Sequence, residues 1–273
     1  MRSIAELKRD HSVSLGFVPT MGAFHEGHLS LMRVAKSHHD VAAVSLFVNP
    51  TQFGQGEDFE RYPRNLDRDA EMAESAGVDI LFAPDVSQMY PRKTTEIQVS
   101  GVTERWEGGH RPGHFTGVAT VVAKLFNIVQ PTAAYFGQKD LQQCLVIQRM
   151  VADLNLPVEL KFEETVRESD GLAMSSRNVY LSDSNRAIAP NLYQELKNIR
   201  DGVLVKSASV DSLLSSAINR LNAVGFTVDY LELVDLDTMA PIRDLEQDAA
   251  IIVAARLGST RLIDNLRILL NSL

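Results

Sequence analysis

Short apolar runs alternate with longer segments of mixed polarity through the first 165 residues of the chain. Several of the runs are rich in β-branched residues, which favour buried strands. Strands are predicted at residues 14–20, 41–48, 78–84, 133–137 and 156–165. Helical spacing of apolar residues predicts helices at 28–37, 65–77, 117–131 and 139–154. This alternation predicts a parallel sheet covered by helices on both faces.

The pattern changes after about residue 165, where two long helical segments precede two apolar strands. The helices are predicted at 182–202 and 209–225, and the strands at 227–235 and 249–258. We therefore predict an α/β protein with a parallel-sheet domain at 1–165 and a smaller C-terminal α+β domain at 166–273.

Composition narrows the classes of protein that fit this pattern. Of the 273 residues, 45% are apolar and 23% charged, which is typical of a globular protein. The net charge of −8 argues against nucleic acid as a partner, and no apolar window approaches a membrane span. The single cysteine, Cys144, excludes an intramolecular disulfide and lies in an apolar helical run. We predict a cytoplasmic protein, without membrane or nucleic-acid partners, in which Cys144 is a buried core thiol.

The segment PTMGAFHEGH, residues 19–28, carries the strongest candidate chemistry. It joins a predicted strand to a predicted helix, and a helix N-terminus presents unpaired N–H groups that bind phosphate. Gly22 and Gly27 allow the backbone to approach a nucleotide closely. His25 and His28 are three residues apart, so on a helical turn both can donate to phosphate oxygens. In the alternative interpretation, the two histidines are only a helix cap and a surface residue.

The HxGH pattern within this segment resembles the signature of the nucleotidyltransferase superfamily, which includes the class I aminoacyl-tRNA synthetases. That resemblance implies ATP bound at the strand-to-helix turn and attack on its α-phosphate. Members pair this motif with a later basic segment, for which MSSR at 174–177 is the candidate. Two hydroxyls and an arginine suit phosphates, although MSSR alone could be a plain helix cap.

Further motifs occur in order along the chain: FVNPTQF, RYPR, RPGHFTGVATVVAKLFNIVQP, FGQKDLQQ and MSSRNVYL. Together with PTMGAFHEGH, the set resembles the pantothenate synthetase (pantoate–β-alanine ligase) family over nearly the whole chain. The resemblance implies a Rossmann-like domain, a smaller C-terminal lid domain and a homodimer. It also implies that Mg-ATP activates pantoate as pantoyl adenylate, which β-alanine converts to pantothenate with release of AMP. Rival interpretations are a nucleotidyltransferase that forms a dinucleotide or CDP-type product, and a silent ATP-binding module.

The resemblance also implies roles for individual residues. The predicted catalytic residues are His28, His25, Lys139 and Arg177. The predicted ATP-binding residues are Met21, Gly22, Ala23, Phe24, His25, Glu26, Gly27, His28, Gly137, Gln138, Lys139, Asp140, Val166, Met174, Ser175, Ser176 and Arg177. Gln52 and Gln143 are predicted to bind pantoate and to approach β-alanine.

Other positions are open candidates. The further pocket candidates are Asn49 and Tyr62, and the candidates for the pantoate side are Arg111 and His114. Asp67 and Asp69 are weak candidates for Mg²⁺, whose coordination the ATP phosphates can largely supply. Solvated surface positions are predicted for His38 and His39.

Overall fold

The computed structural model describes residues 13–270, and the ends of the two predicted domains lie outside that range. Contacts divide the chain into two compact units. Among the described residues, the first comprises 13–138 and 142–164, and the second comprises 139–141 and 165–270. The predicted boundary therefore lies one residue from the main division, but the short segment 139–141 belongs to the second unit. Between residues 13 and 270, no helix is long and apolar enough to cross a membrane.

The first unit contains the five strands and four long helices that the apolar pattern predicts, together with two four-residue helices that it does not predict. Its strands are β1 (Leu15–Thr20), β2 (Val41–Leu46), β3 (Ile80–Phe82), β4 (Ala133–Gly137) and β5 (Glu159–Glu163). Its helices are α1 (Glu26–His38), α2 (Leu66–Ser75), α3 (Val86–Met89), α4 (Glu107–His110), α5 (His114–Val129) and α6 (Leu141–Asp153). A 3₁₀ turn, Pro50–Gln52, follows β2, and a second one, Gln138–Asp140, precedes α6.

The five strands form one parallel sheet in the order β3-β2-β1-β4-β5. The chain builds outward from β1 in one direction and then returns to its other side with β4, so a topological switch point lies between β1 and β4. In open α/β sheets, ligands bind outside the carboxyl ends of the strands at such a point. The loops after β1 and β2 leave the sheet at this edge.

Side chains of the sheet alternate between two cores, as expected of strands buried on both faces. Within β1, Phe17 packs into the core that includes α5 and α6 residues, whereas Val18 packs into the core formed with α1 and α2. Both side chains are almost fully buried. The central strand is thereby held rigidly under the loop that follows it.

The second unit contains a three-stranded antiparallel sheet in the order β6-β7-β8. Its strands are β6 (Phe226–Asp235), β7 (Ala249–Leu257) and β8 (Thr260–Ile268). Its helices are α7 (Asp183–Ile188), α8 (Asn191–Leu204) and α9 (Val210–Ala223), with a 3₁₀ helix at Ser176–Tyr180. Apolar residues of α8, α9 and all three strands form one core.

Two features of this unit differ from the sequence prediction. The segment predicted as a single helix at 182–202 forms two helices, which are separated at Ala189 and Pro190. Proline has no N–H to continue the first helix, and its fixed backbone angle suits the start of the second. Strand β8 is not predicted by the apolar pattern. It carries Arg261, Asp264, Asn265 and Arg267, and these polar residues hide the strand alternation.

Candidate functional site

The loop between β1 and α1 places the two predicted histidines at the start of the helix. His25 is the N-cap residue, and its Nδ1 accepts a hydrogen bond from the Gly27 N–H at 3.2 Å. His28 lies in the first turn, and its ring centroid is 4.1 Å from that of His25. The N-terminus of α1 therefore presents two imidazoles together with backbone N–H groups, at the carboxyl end of the central strand.

Two residues predicted to bind ATP are engaged by a carboxylate of the protein. Asp69, in α2, is 1% exposed and accepts hydrogen bonds from Ala23 N at 2.8 Å and Phe24 N at 2.9 Å. The Phe24 side chain is 2% exposed and lies in the core. Neither the Phe24 ring nor the two N–H groups are presented for a nucleotide.

Asp69, one of the two magnesium candidates, is buried and both of its oxygens accept backbone hydrogen bonds, so its carboxylate is not presented to solvent in this structure. Asp67, one of its neighbours in α2, is exposed. Within residues 13–270, no group of three or more histidine, cysteine or acidic side chains is arranged to hold a metal.

Gln52 lies in the 3₁₀ turn after β2, beside the first residue of the loop after β1. Its Nε2 approaches the Met21 sulfur at 3.2 Å, and its Oε1 accepts a hydrogen bond from Asn49 Nδ2 at 3.1 Å. Asn49 is 1% exposed, and its Oδ1 accepts a hydrogen bond from Tyr90 Oη at 3.0 Å. The orientation of the Gln52 amide is therefore fixed by a buried network, and the predicted ATP loop and pantoate residue meet.

Helix α5 presses directly on this turn. A Cβ atom at Gly117 would lie 2.4 Å from the Thr51 carbonyl oxygen, so only glycine permits the observed distance. Asn49 Nδ2 also donates to the Gly117 carbonyl at 3.1 Å. The other pocket candidate, Tyr62, is 5% exposed and packs its ring against Phe53.

Arg111 and His114 support the same turn from behind. His114 Nδ1 donates to the Gln52 carbonyl oxygen at 2.8 Å, and Arg111 approaches His114 Nε2 at 3.1 Å. Arg111 also donates twice to Glu57, at 2.8 and 2.6 Å. The two residues predicted for the pantoate side thus contact the backbone of the pantoate residue.

The His114 imidazole is neutral because burial and the nearby Arg111 charge lower its pKa from 6.5 to about 4. The opposing influences are its bond to Gln52 and the carboxylates of Glu107 and Glu57. Burial alone would raise the pKa of Glu57, but hydrogen bonds and charge from Arg111 hold it below its ordinary value. A neutral ring can donate from Nδ1 and accept at Nε2, as the contacts require.

This histidine makes the protein sensitive to acid. Between pH 6.5 and 4, His114 is protonated in the unfolded chain but neutral in the folded protein. The free energy of unfolding therefore decreases as pH falls through this window. The cost reaches about 3 kcal/mol near pH 4. In His114→Asn, the amide can still donate to Gln52 but does not titrate. Between pH 7 and 4 we expect its free energy of unfolding to fall by about 3 kcal/mol less than that of the wild type. Urea unfolding at each pH measures this difference, and identical pH profiles would contradict it.

The segment after β4 carries further predicted residues. Gln138 is 8% exposed and donates to the Phe162 carbonyl at 2.9 Å, so its side chain is committed to the sheet. Gln143 is half-buried in the first turn of α6. Cys144 is buried, as predicted, with its sulfur 3.5 Å from the Gly137 carbonyl oxygen.

Lys139 and Asp140 belong to the second unit, together with strand β8. The Lys139 ammonium lies 4.0 Å from the Asp140 carboxylate. Asn265 Nδ2, in β8, donates to the Lys139 carbonyl at 2.9 Å. Strand β8 therefore fixes the backbone of the predicted phosphate-binding lysine.

The remaining predicted residues lie on a tight reversal of the chain in the second unit. Val166 accepts a hydrogen bond from Met174 N at 3.0 Å, which closes the reversal. Ser175 is the N-cap of the 3₁₀ helix and accepts from Arg177 N at 3.2 Å. The cap interpretation of MSSR is therefore correct for Ser175. Ser176 and Arg177 are half-buried.

The prediction that His39 is a solvated surface residue is wrong. His39 Nε2 is hydrogen-bonded to the hydroxyl of Tyr135 at 3.0 Å, and the two rings pack edge to face. Burial, followed by the charge of His38, lowers the pKa of His39. His38 is exposed, as predicted. The two histidines differ in exposure because only the His39 ring contacts the sheet, through Tyr135 of β4.

Sequence reasoning missed several residues that organise the site. These are Glu57, Tyr90, Gln142 and Asn265. Gln142 is 6% exposed and bonds the backbone of Val102, Arg105 and Glu107. All four act through contacts between segments that are distant in sequence, so no local pattern could have identified them.

A parallel α/β sheet with a histidine-bearing helix N-terminus at its switch point defines a nucleotide-binding class of enzyme. Comparison with known proteins makes the assignment specific. A family model described as pantoate-beta-alanine ligase matches residues 1–267, and the chain belongs to this family. The family resemblance, the α/β fold class and the acid–amine ligase class predicted from sequence are confirmed.

Individual proteins similar to this chain support the same family assignment. The chain is 50% identical over 260 residues to a pantothenate synthetase from Acinetobacter baylyi, covering 94% of this chain and 92% of the relative. It is 53% identical over 257 residues to a pantothenate synthetase from Thermus thermophilus, covering 93% of each.

Solved structures give the same result. The crystal structure of a pantothenate synthetase from Thermus thermophilus matches with a TM-score of 0.91 and 51% identity, covering 97% of this chain and 98% of that one. A pantoate-beta-alanine ligase from Francisella tularensis, complexed with beta-gamma ATP and beta-alanine, matches with a TM-score of 0.82. It is 34% identical and covers 97% of this chain and 96% of its own.

Proposed function

We propose that this protein condenses pantoate with β-alanine in two steps, through a pantoyl adenylate. In the first step, a pantoate carboxylate oxygen bonds to the α-phosphorus of ATP, and pyrophosphate leaves. In the second step, the β-alanine amine bonds to the acyl carbon, and the carbon–oxygen bond to AMP breaks. The pair of imidazoles at the N-terminus of α1 is the observation that carries this proposal, because negative charge develops on the α-phosphate there.

His28 is proposed to stabilise that charge, with His25 beside it. The Nδ1 atom of His25 is occupied by Gly27 N–H, so in the neutral ring the proton resides on Nε2, which can donate to phosphate. The assignments of Lys139 and Arg177 to the triphosphate stay predictions from the family resemblance.

Gln52 is proposed to bind pantoate. Asn49 donates to its Oε1, and this fixes the amide so that its nitrogen lies 3.2 Å from the Met21 sulfur, beside the loop after β1, where it can donate to the pantoate carboxylate or hydroxyls. An amide keeps the carboxylate nucleophilic, whereas an arginine clamp would withdraw its charge. Gln143 is the second predicted pantoate residue.

Magnesium is proposed to enter with ATP, bound through the phosphates. Asp69 is buried and accepts two backbone hydrogen bonds, so it is not presented to an ion, and the ATP phosphates can supply most of the coordination. Homodimer formation and a cytoplasmic location are also proposed, on the basis of the family resemblance.

Isotope exchange tests the adenylate directly. With ATP, labelled pyrophosphate and pantoate, but no β-alanine, we expect label to enter ATP, because the first step is reversible. The matched control omits pantoate and should show no exchange. Net AMP formation should require both pantoate and β-alanine. If exchange does not depend on pantoate, the adenylate mechanism is wrong.

A further inference from the structure

Asp69 is a buried carboxylate that the reaction steps above do not use. It lies in the first turns of α2, which is capped by Asn65, while its neighbours Asp67 and Arg68 are exposed. A carboxylate that is 1% exposed requires hydrogen bonds to offset its lost hydration. Its two oxygens take them from successive N–H groups, one each from Ala23 and Phe24.

The loop that Asp69 contacts has an unusual backbone. Gly22 has a φ of +84°, and Ala23, a residue with a side chain, has a φ of +53°. A left-handed conformation at a non-glycine residue costs of order 1–3 kcal/mol unless surrounding contacts impose it. Hydrogen bonds that backbone N–H groups donate to a carboxylate are among the stronger contacts that can impose it.

The fit between the loop and the carboxylate is close. A Cβ atom at Gly22 would lie 2.9 Å from Asp69 Oδ2 and 3.1 Å from Leu46. Directly after these residues, His25 caps α1 and His28 completes its first turn. The conformation of residues 22–24 therefore sets where the two imidazoles and the helix N-terminus point.

We propose that Asp69 is a positioning residue for ATP: it holds the loop after β1 in the left-handed conformation that aims the N-terminus of α1 at the nucleotide. It acts through the Ala23 and Phe24 N–H groups and binds neither ATP nor magnesium. The identity of the ligand rests on the proposed function, whereas the hold on the loop does not.

The test compares Asp69→Ala and Asp69→Asn with Glu71→Ala, which removes an exposed acid of the same helix. For Asp69→Ala we expect kcat/KM for ATP to fall roughly 10- to 100-fold, because small misplacements of binding groups are costly. Asparagine keeps one acceptor oxygen, so Asp69→Asn should lie between Asp69→Ala and the wild type. Glu71→Ala should match the wild type.

Two further measurements separate positioning from a metal role or general damage. Amide hydrogen exchange should accelerate at Ala23 and Phe24 in both Asp69 variants, while β1 amides stay protected. The Mg²⁺ concentration for half-maximal rate, at fixed saturating ATP, should not change. A raised Mg²⁺ requirement with protected loop amides, or equal kinetics in Asp69→Ala and Glu71→Ala, would overturn the proposal. If pantoate-dependent exchange is absent from the wild type, the proposed function fails, and amide exchange still decides the hold on the loop.

Discussion

Replacing His28 with alanine is expected to lower the rate of pantoate-dependent ATP–pyrophosphate exchange roughly 10²- to 10³-fold. The imidazole stands in the first turn of α1, where it adds a donor to the backbone N–H groups of the helix N-terminus. Charge grows on the α-phosphate only as the transition state forms. The loss should therefore appear in the rate, while the KM for pantoate changes no more than about threefold.

The matched control is His38→Ala, which removes an exposed histidine from the last turn of the same helix. Its rate should equal that of the wild type. Steady-state kinetics and exchange on the three proteins make the comparison. If His28→Ala weakens pantoate binding as much as it slows the rate, His28 is a binding group and not a catalytic one.

Removing the carboxylate of Asp264 is expected to destabilise the second unit by roughly 3–5 kcal/mol. Asp264 lies in β8 with its side chain 2% exposed, and the two terminal guanidinium nitrogens of Arg167 donate to it at 2.7 and 2.9 Å. The same guanidinium stacks 3.5 Å from the centroid of the Tyr193 ring. Asp264→Ala therefore leaves a largely buried cation without its partner.

Amide hydrogen exchange measures this effect within one unit. Protection in β6, β7 and β8 should fall in Asp264→Ala, while protection in β1 and β4 is retained. The control is Asp201→Ala, which breaks an exposed pair with Arg200 and should cost less than about 1 kcal/mol. Equal protection factors in the two variants would contradict a structural role for the buried pair.

Most of the parallel-sheet unit could be predicted because its strands are buried on both faces. Such strands are continuous apolar runs, and the helices between them carry clear helical periodicity. Strand β8 could not be predicted, because its adjacent residues Asp264 and Asn265 are both polar and both buried, the first bonded to Arg167 and the second to the Lys139 carbonyl. Its stability comes from pairing with β7 and from burial of Leu262 and Ile268 in the core of the second unit.

The site was predictable where it is built from contiguous motifs. The loop after β1 and the turn at Gln52 are local structures, and their residues are found by pattern. The roles of Asp69 and His114 could not be read in this way, because their partners lie 45 and 62 residues away in the chain. Burial decided these roles, and burial depends on the folded chain as a whole.

The brief crossing of residues 139–141 into the second unit constrains how related proteins can be recombined. A chimera joined near residue 165 would take Lys139 from one parent and its Asn265 support from the other. Exchange of the C-terminal segments would thus separate Lys139 from Asn265, although both belong to the same compact unit. The second unit is not one continuous stretch of sequence. A graft of this unit must therefore carry residues 139–141 as well as the segment that begins at residue 165.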